Sequence, residues 1–246
     1  MRLCRILAVA LALSAPSSPG WGLQLSDIET DCRIALRDTA ADTNFQRFSN
    51  SQLASFINDG QAQINNTVEP LVGVYAFDLS AGIAEYALPS DFKSVYRLSL
   101  ANQRVQAVNY NGLDANYTNW TIAVSTPMNY YIDAYDNAQV YVGFYPTPKV
   151  TTAGGEVLLF YFQIPVTLVN ATDVPFNGKS NLYAYHDALT QYCAMRGWTV
   201  QNRADLASLD SSLFTADVAA MKNDVNFTPD FNPAATGYRG PPSQNQ

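Results

Sequence analysis

The hydrophobic period of this chain changes twice, and that change restricts the fold more than any other feature. Apolar residues recur at helical spacing near both ends, while the middle alternates at the spacing of strands. Helices on either side of a strand-forming middle predict an α+β fold. In the first helical part, Ser26-Asp-Ile-Glu29 has the form of a capping box, with Ile28, Cys32, Ala35 and Leu36 behind it on one face. Ser49-Asn-Ser-Gln52 repeats the pattern ahead of Leu53, Phe56, Ile57 and Ile64. The link between them is short and polar, so the two helices form a predicted hairpin.

Strand signals fill the next hundred or so residues. Residues 72–79 and 83–88 flank a turn at Ser80-Ala-Gly82, and Pro89 ends the second run because proline cannot donate to a ladder. Residues 95–100 and 105–110 flank a turn at Ala101-Asn-Gln103. Residues 129–135 and 139–145, rich in Tyr and Val, bracket the hairpin signal Asp136-Asn-Ala138. A nearly continuous apolar strand, 156–163, is expected to be buried. Helical spacing returns after Gly178, first through Leu182, Tyr185, Leu189, Tyr192, Cys193 and Arg196. A second face follows through Leu206, Leu209, Leu213, Phe214, Val218 and Met221, with a break at Asn202-Arg203.

The expected architecture is therefore a helical bundle built from N- and C-terminal helical hairpins, residues 23–70 and 177–225. An antiparallel β insert, 71–165, lies between them, and a Pro- and Gly-rich extended tail, 226–246, follows. Residues 1–22 have the layout of a secretion signal, with Arg2 and Arg5 before a short apolar run, or else form a disordered arm. The three cysteines are Cys4, Cys32 and Cys193. Buried free thiols are the preferred reading of the last two; a disulfide becomes testable once both helices share one subdomain.

Composition bears on partners. The net charge of −7 and the absence of a basic run argue against gripping nucleic acid, which needs Lys and Arg on phosphates. Charged residues are 14%, well below the roughly 25% of average soluble chains. A weakly charged, Tyr-rich surface suits extensive contact with other proteins.

The sequence marks no catalytic, cofactor or metal site. His186 is the one histidine, and no nucleophile elbow accompanies it. Asn177-Gly-Lys-Ser180 lacks the earlier glycine of a phosphate loop, since Asp173 holds that place, and reads as a turn with Ser180 as a helix cap. One histidine and scattered cysteines cannot form a zinc site, and Asp133, Asp136 and Asn137 lack calcium-loop spacing. Glu85 and Asp91 are unmarked as a carboxylate pair. Clustered tyrosines such as Tyr130-Tyr131 fit half-buried strands better than a sugar platform. Asn65, Asn116, Asn119, Asn170 and Asn226 each head an Asn-X-Thr sequon, as chance allows in a chain rich in both residues.

The order of elements carries a resemblance. Leu36-Arg-Asp-Thr39, Phe48-Ser-Asn-Ser-Gln-Leu53 and Ile57-Asn-Asp-Gly-Gln61 look like the opening of podovirus-type head-to-tail adaptors of tailed phages. Tyr86-Ala-Leu-Pro-Ser-Asp-Phe92, Asn119-Trp120, Tyr130-Tyr131, the 140–148 hairpin arm and Tyr192 with Arg196-Gly197 resemble later motifs of that family, in order. The resemblance spans residues 25–224 and implies a non-enzymatic virion part at the head–tail junction. It further implies a homo-oligomeric ring, a dodecamer, between the portal protein and a tail (nozzle or tube) protein, with DNA passing through unread. It makes the C-terminal tail a portal-binding element with Phe227, Phe231 and Tyr238 as anchors. The competing reading is a secreted β-rich module for carbohydrate or a surface ligand, resting on the leader and the sequons.

Overall fold

In the computed structural model, residues 22–40, 46–134 and 139–227 are described. Two helices open the chain, α1 (Leu25–Ala35) and α2 (Asn50–Val68). The cap of α2 is the expected one: Ser49 Oγ accepts from Gln52 N–H at 3.2 Å, and Ser49 N–H donates to Gln52 Oε1 at 2.9 Å. The cap of α1 is not. The helix begins at Leu25, with Gln24 N–H donating to the Asp27 carboxylate at 2.9 Å. Its first free amides are satisfied from a distant loop: Leu25 N–H donates to Asp173 O (2.8 Å) and Ser26 N–H to Ala171 O (3.0 Å). A tertiary partner has taken the place of the local serine.

The strands follow as β1 (Val72–Phe77), β2 (Glu85–Ala87), β3 (Phe92–Leu100), β4 (Gln103–Arg104) and β5 (Gln106–Ala107). Helix α3 (Tyr110–Asn116) intervenes before β6 (Val124–Ser125), β7 (Asn129–Ala134), β8 (Val140–Tyr145), β9 (Thr147–Pro148) and β10 (Val157–Gln163). One sheet has the order β1-β10-β3-β4 and a second β2-β8-β7-β5, with β6 and β9 forming a small pair. The insert is not wholly antiparallel, because β5 runs parallel to β7 and β6 parallel to β9. Nor is 105–110 one strand. Val105 N–H still reaches Leu98 O at 3.0 Å, but Gln106–Ala107 turn to β7 and Asn109 caps α3, its Oδ1 accepting from Gly112 N–H at 2.7 Å. A cap hidden in an apolar run had the look of a strand.

The turn at Ala101-Asn102 closes the β3–β4 hairpin with both residues at positive φ (47° and 64°), the backbone such tight hairpins require. Ser80–Gly82 joins strands of different sheets and makes no hairpin. The tip 136–138 lies outside the described residues, while the arms pair antiparallel from Asn129↔Tyr145 to Ala134↔Val140.

The chain then returns to helices through short 3-10 turns, Phe176–Gly178 and Ser180–Tyr185, into α4 (His186–Val200) and α5 (Ala204–Phe227). Ser180 opens one of these turns and does not cap it; Lys179 precedes it as the cap residue. Asn202, at φ 57°, marks the break between α4 and α5. Helix α5 runs to Phe227, past the expected start of the tail at 226. Its buried face is Val218 and Met221 with Leu206 and Phe214 half-buried, while Leu209 (57%) and Leu213 (46%) are exposed. The expected six-residue apolar face is thus split across two sides of the helix.

Helices α1, α2, α4 and α5 share one hydrophobic core that includes Ile28, Leu53, Ile57, Leu189 and Met221. The sheets enclose a second core around Leu98, Val142, Phe144 and Leu159. A third, aromatic cluster joins α3 to β7 and β8 through Leu113, Tyr131 and Tyr145. The expectation of free thiols is corrected: α1 lies on α4, and Cys32 and Cys193, both fully buried, are joined by a disulfide with a Cα–Cα distance of 6.2 Å. The ends of the chain meet in one core, so cysteines 161 residues apart become neighbours.

Candidate functional site

The residues that carried the family resemblance converge on contacts that hold the two parts of the molecule together. Asn58, Gln61 and Asn65 recur on one face of α2 at helical spacing. That face binds the extended segment leading out of β10. Asn58 accepts from Leu168 N–H (2.8 Å) and donates to Leu168 O (2.9 Å). Gln61 donates to Val166 O (3.0 Å) and accepts from Phe176 N–H (2.7 Å), and Asn65 donates to Gln163 O (3.0 Å). The helix presents amide side chains where a sheet would present backbone. In doing so it satisfies a strap that has no strand partner of its own there.

Between these amides, Gly60 lets α4 approach: a Cβ at Gly60 would stand 3.0 Å from the Tyr192 ring. Arg196 lies over the Phe56 ring at 5.7 Å and 4.0 Å from the Asp59 carboxylate. Next to Arg196, Gly197 receives Leu36, and a Cβ there would meet Leu36 Cδ1 at 2.6 Å. Motif residues from both ends of the chain thus meet across α1, α2 and α4.

The Leu36-Arg-Asp-Thr39 element ends α1. Arg37 takes the left-handed conformation (φ 54°), which turns the chain, and Asp38 is buried. Its carboxylate accepts from Arg47 N–H (2.7 Å), Phe48 N–H (3.1 Å) and Arg33 Nη1 (3.1 Å). Arg33 also donates to Phe48 O (3.0 Å) and Asn50 Oδ1 (2.6 Å), so one ion pair ties the end of α1 to the start of α2.

In the β part, Asp91 accepts from Tyr161 Oη (3.0 Å) and Gln163 Nε2 (2.6 Å), and Phe92 packs on Tyr161. Glu85 accepts from Tyr131 Oη at 3.2 Å. Each carboxylate works within one sheet: Asp91, just before β3, holds β10, and Glu85 on β2 holds β7. Trp120 Nε1 donates to Asp114 (2.7 Å) and its ring meets Tyr131 edge-on. Tyr131 in turn covers Gly143, where a Cβ would stand 2.0 Å from the ring.

His186 is buried at the start of α4 against Phe176 and Tyr183. Burial pushes its pKa down to about 4, opposed by the backbone of Leu23, so it is neutral near pH 7 and serves as a packing residue. Tyr185 is pushed up to about 12 by burial and by its hydrogen bond to the Asp224 carboxylate. Among the described residues, no group of three His, Cys, Asp or Glu side chains could hold a metal ion. A groove of about 610 Å³ runs between 100–106 and 126–129, and Arg104 is the one charged residue lining it. No helix among the described residues is long and apolar enough to cross a membrane. The sequon residue Asn65 is buried with its amide engaged, so it is closed to glycosylation in the folded chain.

Of the three anchors expected in the tail, Phe227 is the last residue of α5, while Phe231 and Tyr238 lie outside the described residues. The strap on Asn58, Gln61 and Asn65 had not been anticipated. Its signal was present as amides spaced along an otherwise apolar helix face.

No curated protein matches the chain. The family of SU10 adaptor proteins matches residues 24–236, which takes in both helical segments and all of the strands. The chain belongs to the SU10 adaptor protein family, the phage head-to-tail adaptors.

Proposed function

We propose that the chain is a podovirus-type head-to-tail adaptor that forms a ring, a dodecamer, between the portal protein and the tail protein, with DNA passing through its channel. The observation that carries this reading is the family match over residues 24–236. The helical segments, 23–70 with 177–225, form the wall of the channel in this account, and the β insert, 71–165, faces outward or toward the tail. A net charge of −7 with no basic run supports a channel that repels phosphates and does not hold them. Residues 226–246 dock on the portal, with Phe227, Phe231 and Tyr238 as aromatic anchors of the kind that dominate protein interfaces. The test is capture on purified portal rings by the full chain and by a chain truncated after Val225. The full chain is expected to bind and the truncated chain to lose most of that binding. Equal capture of both refutes the role of the tail, and capture of neither refutes the adaptor reading.

A further inference from the structure

We propose that the Cys32–Cys193 bond is a lock closed after assembly: the thiols stay reduced in the host cytoplasm and join when the released particle meets an oxidising exterior. This rests on the adaptor reading, which has the chain fold and assemble in a reducing compartment. Three observations carry it. First, both sulfurs lie in a core whose packing does not depend on the bond. Cys32 is one helical turn from Leu36, and Cys193 one turn from Gly197, and Leu36 seats against Gly197 directly. On reduction the two sulfurs must part to non-bonded contact, which a side-chain rotation at one cysteine provides, and both then remain as small apolar residues of that core.

Second, the surroundings oppose early oxidation. Both residues are fully buried. Complete burial shields the thiols from dissolved oxidants, and it leaves no room for a bulky disulfide such as oxidised glutathione. The oxidant that fits is a small peroxide. One thiolate attacks hydrogen peroxide to give a sulfenic acid and, with a proton, water; the second thiol then displaces the sulfenic oxygen as a second water. Two thiols and one peroxide thus become one disulfide and two waters, the sulfurs giving up two electrons in total.

Third, the connectivity makes the bond consequential. α1 and α4 are otherwise joined covalently only through the β insert, and closing a loop of 161 residues between them removes much of the freedom of the opened chain. The lock would raise the resistance of the helical body in the particle outside the cell, where it can no longer be replaced.

The test compares chain trapped by acid and alkylation from infected cells before lysis with chain from released particles, reading the Cys32 and Cys193 peptides by mass spectrometry. Both thiols are expected to be alkylated before lysis, and neither in particles until a reductant is added. The same state in both samples, free or bonded, overturns the lock. Absence of the chain from particles overturns the adaptor reading, and the lock with it. On the purified full chain, peroxide is expected to raise the thermal midpoint by about 5–15 °C, and no shift contradicts the stabilising role. Cys32→Ser/Cys193→Ser is expected to stay at the reduced midpoint with or without peroxide; a peroxide-dependent rise in that variant assigns the shift to another group and overturns the lock. If the variant does not fold, the reduced and oxidised wild-type chains decide the question.

Discussion

Asp38 shows how much one side chain can hold. It is buried, bound to two backbone amides and paired with Arg33, so removing it leaves those donors and the guanidinium without their partner. Asp38→Ala is expected to cost about 3 kcal/mol, read as a lower urea midpoint with an unchanged slope. His186 sets a pH dependence of definite sign. Its folded pKa of about 4 lies below the ordinary 6.5, so the unfolded chain binds the proton more readily. The stability it confers is complete above pH 6.5 and is lost as pH falls toward 4, by up to about 3 kcal/mol. Because it is the one histidine, His186→Phe isolates the effect: urea midpoints at pH 7 and pH 5 should differ less in the variant than in the wild type.

At the scale of elements, the strap against α2 is the test of how the helical and β parts are coupled. Gln61→Leu keeps the volume but leaves Val166 O and the buried Phe176 N–H unpaired. A loss of about 2–3 kcal/mol is expected, with faster amide exchange at Phe176. Leu209→Ser/Leu213→Ser, on the exposed side of α5, should change the stability of the isolated chain by no more than about 0.5 kcal/mol. These contrasts also mark what the sequence made legible. Elements whose signals are local were readable: the Ser49 cap, the hairpin of β7 and β8, and the break at Asn202. Where the deciding partner is distant, reading failed. Ser26 lost its cap role to carbonyls of the 171–173 loop, and the split face of α5 depends on which side α4 covers. The residues 105–110 failed for a local reason, since an alternating apolar run outweighed the cap at Asn109. The meeting of Cys32 with Cys193 is set by topology, which no spacing reports. The motif residues were legible as a set, but their work as contacts among α1, α2 and α4 became visible only in three dimensions.

For the whole molecule, the two cores give a body in which helices from both chain ends support a β part between them. That suits a ring subunit, which needs one region to line a channel and another to meet a neighbour along the axis. The acidic balance sets the direction of the electrostatics: DNA should leave such a channel freely, and the isolated chain should not retain duplex DNA at low salt, where any phosphate affinity would be greatest. The most direct test of the central claim is electron microscopy of released particles, with the chain located by a fused tag and its density resolved between head and tail. The account predicts a ring of this chain seated on the portal, with the β parts away from the channel. Finding the chain outside the particle, in the medium or on a cell surface, would contradict it.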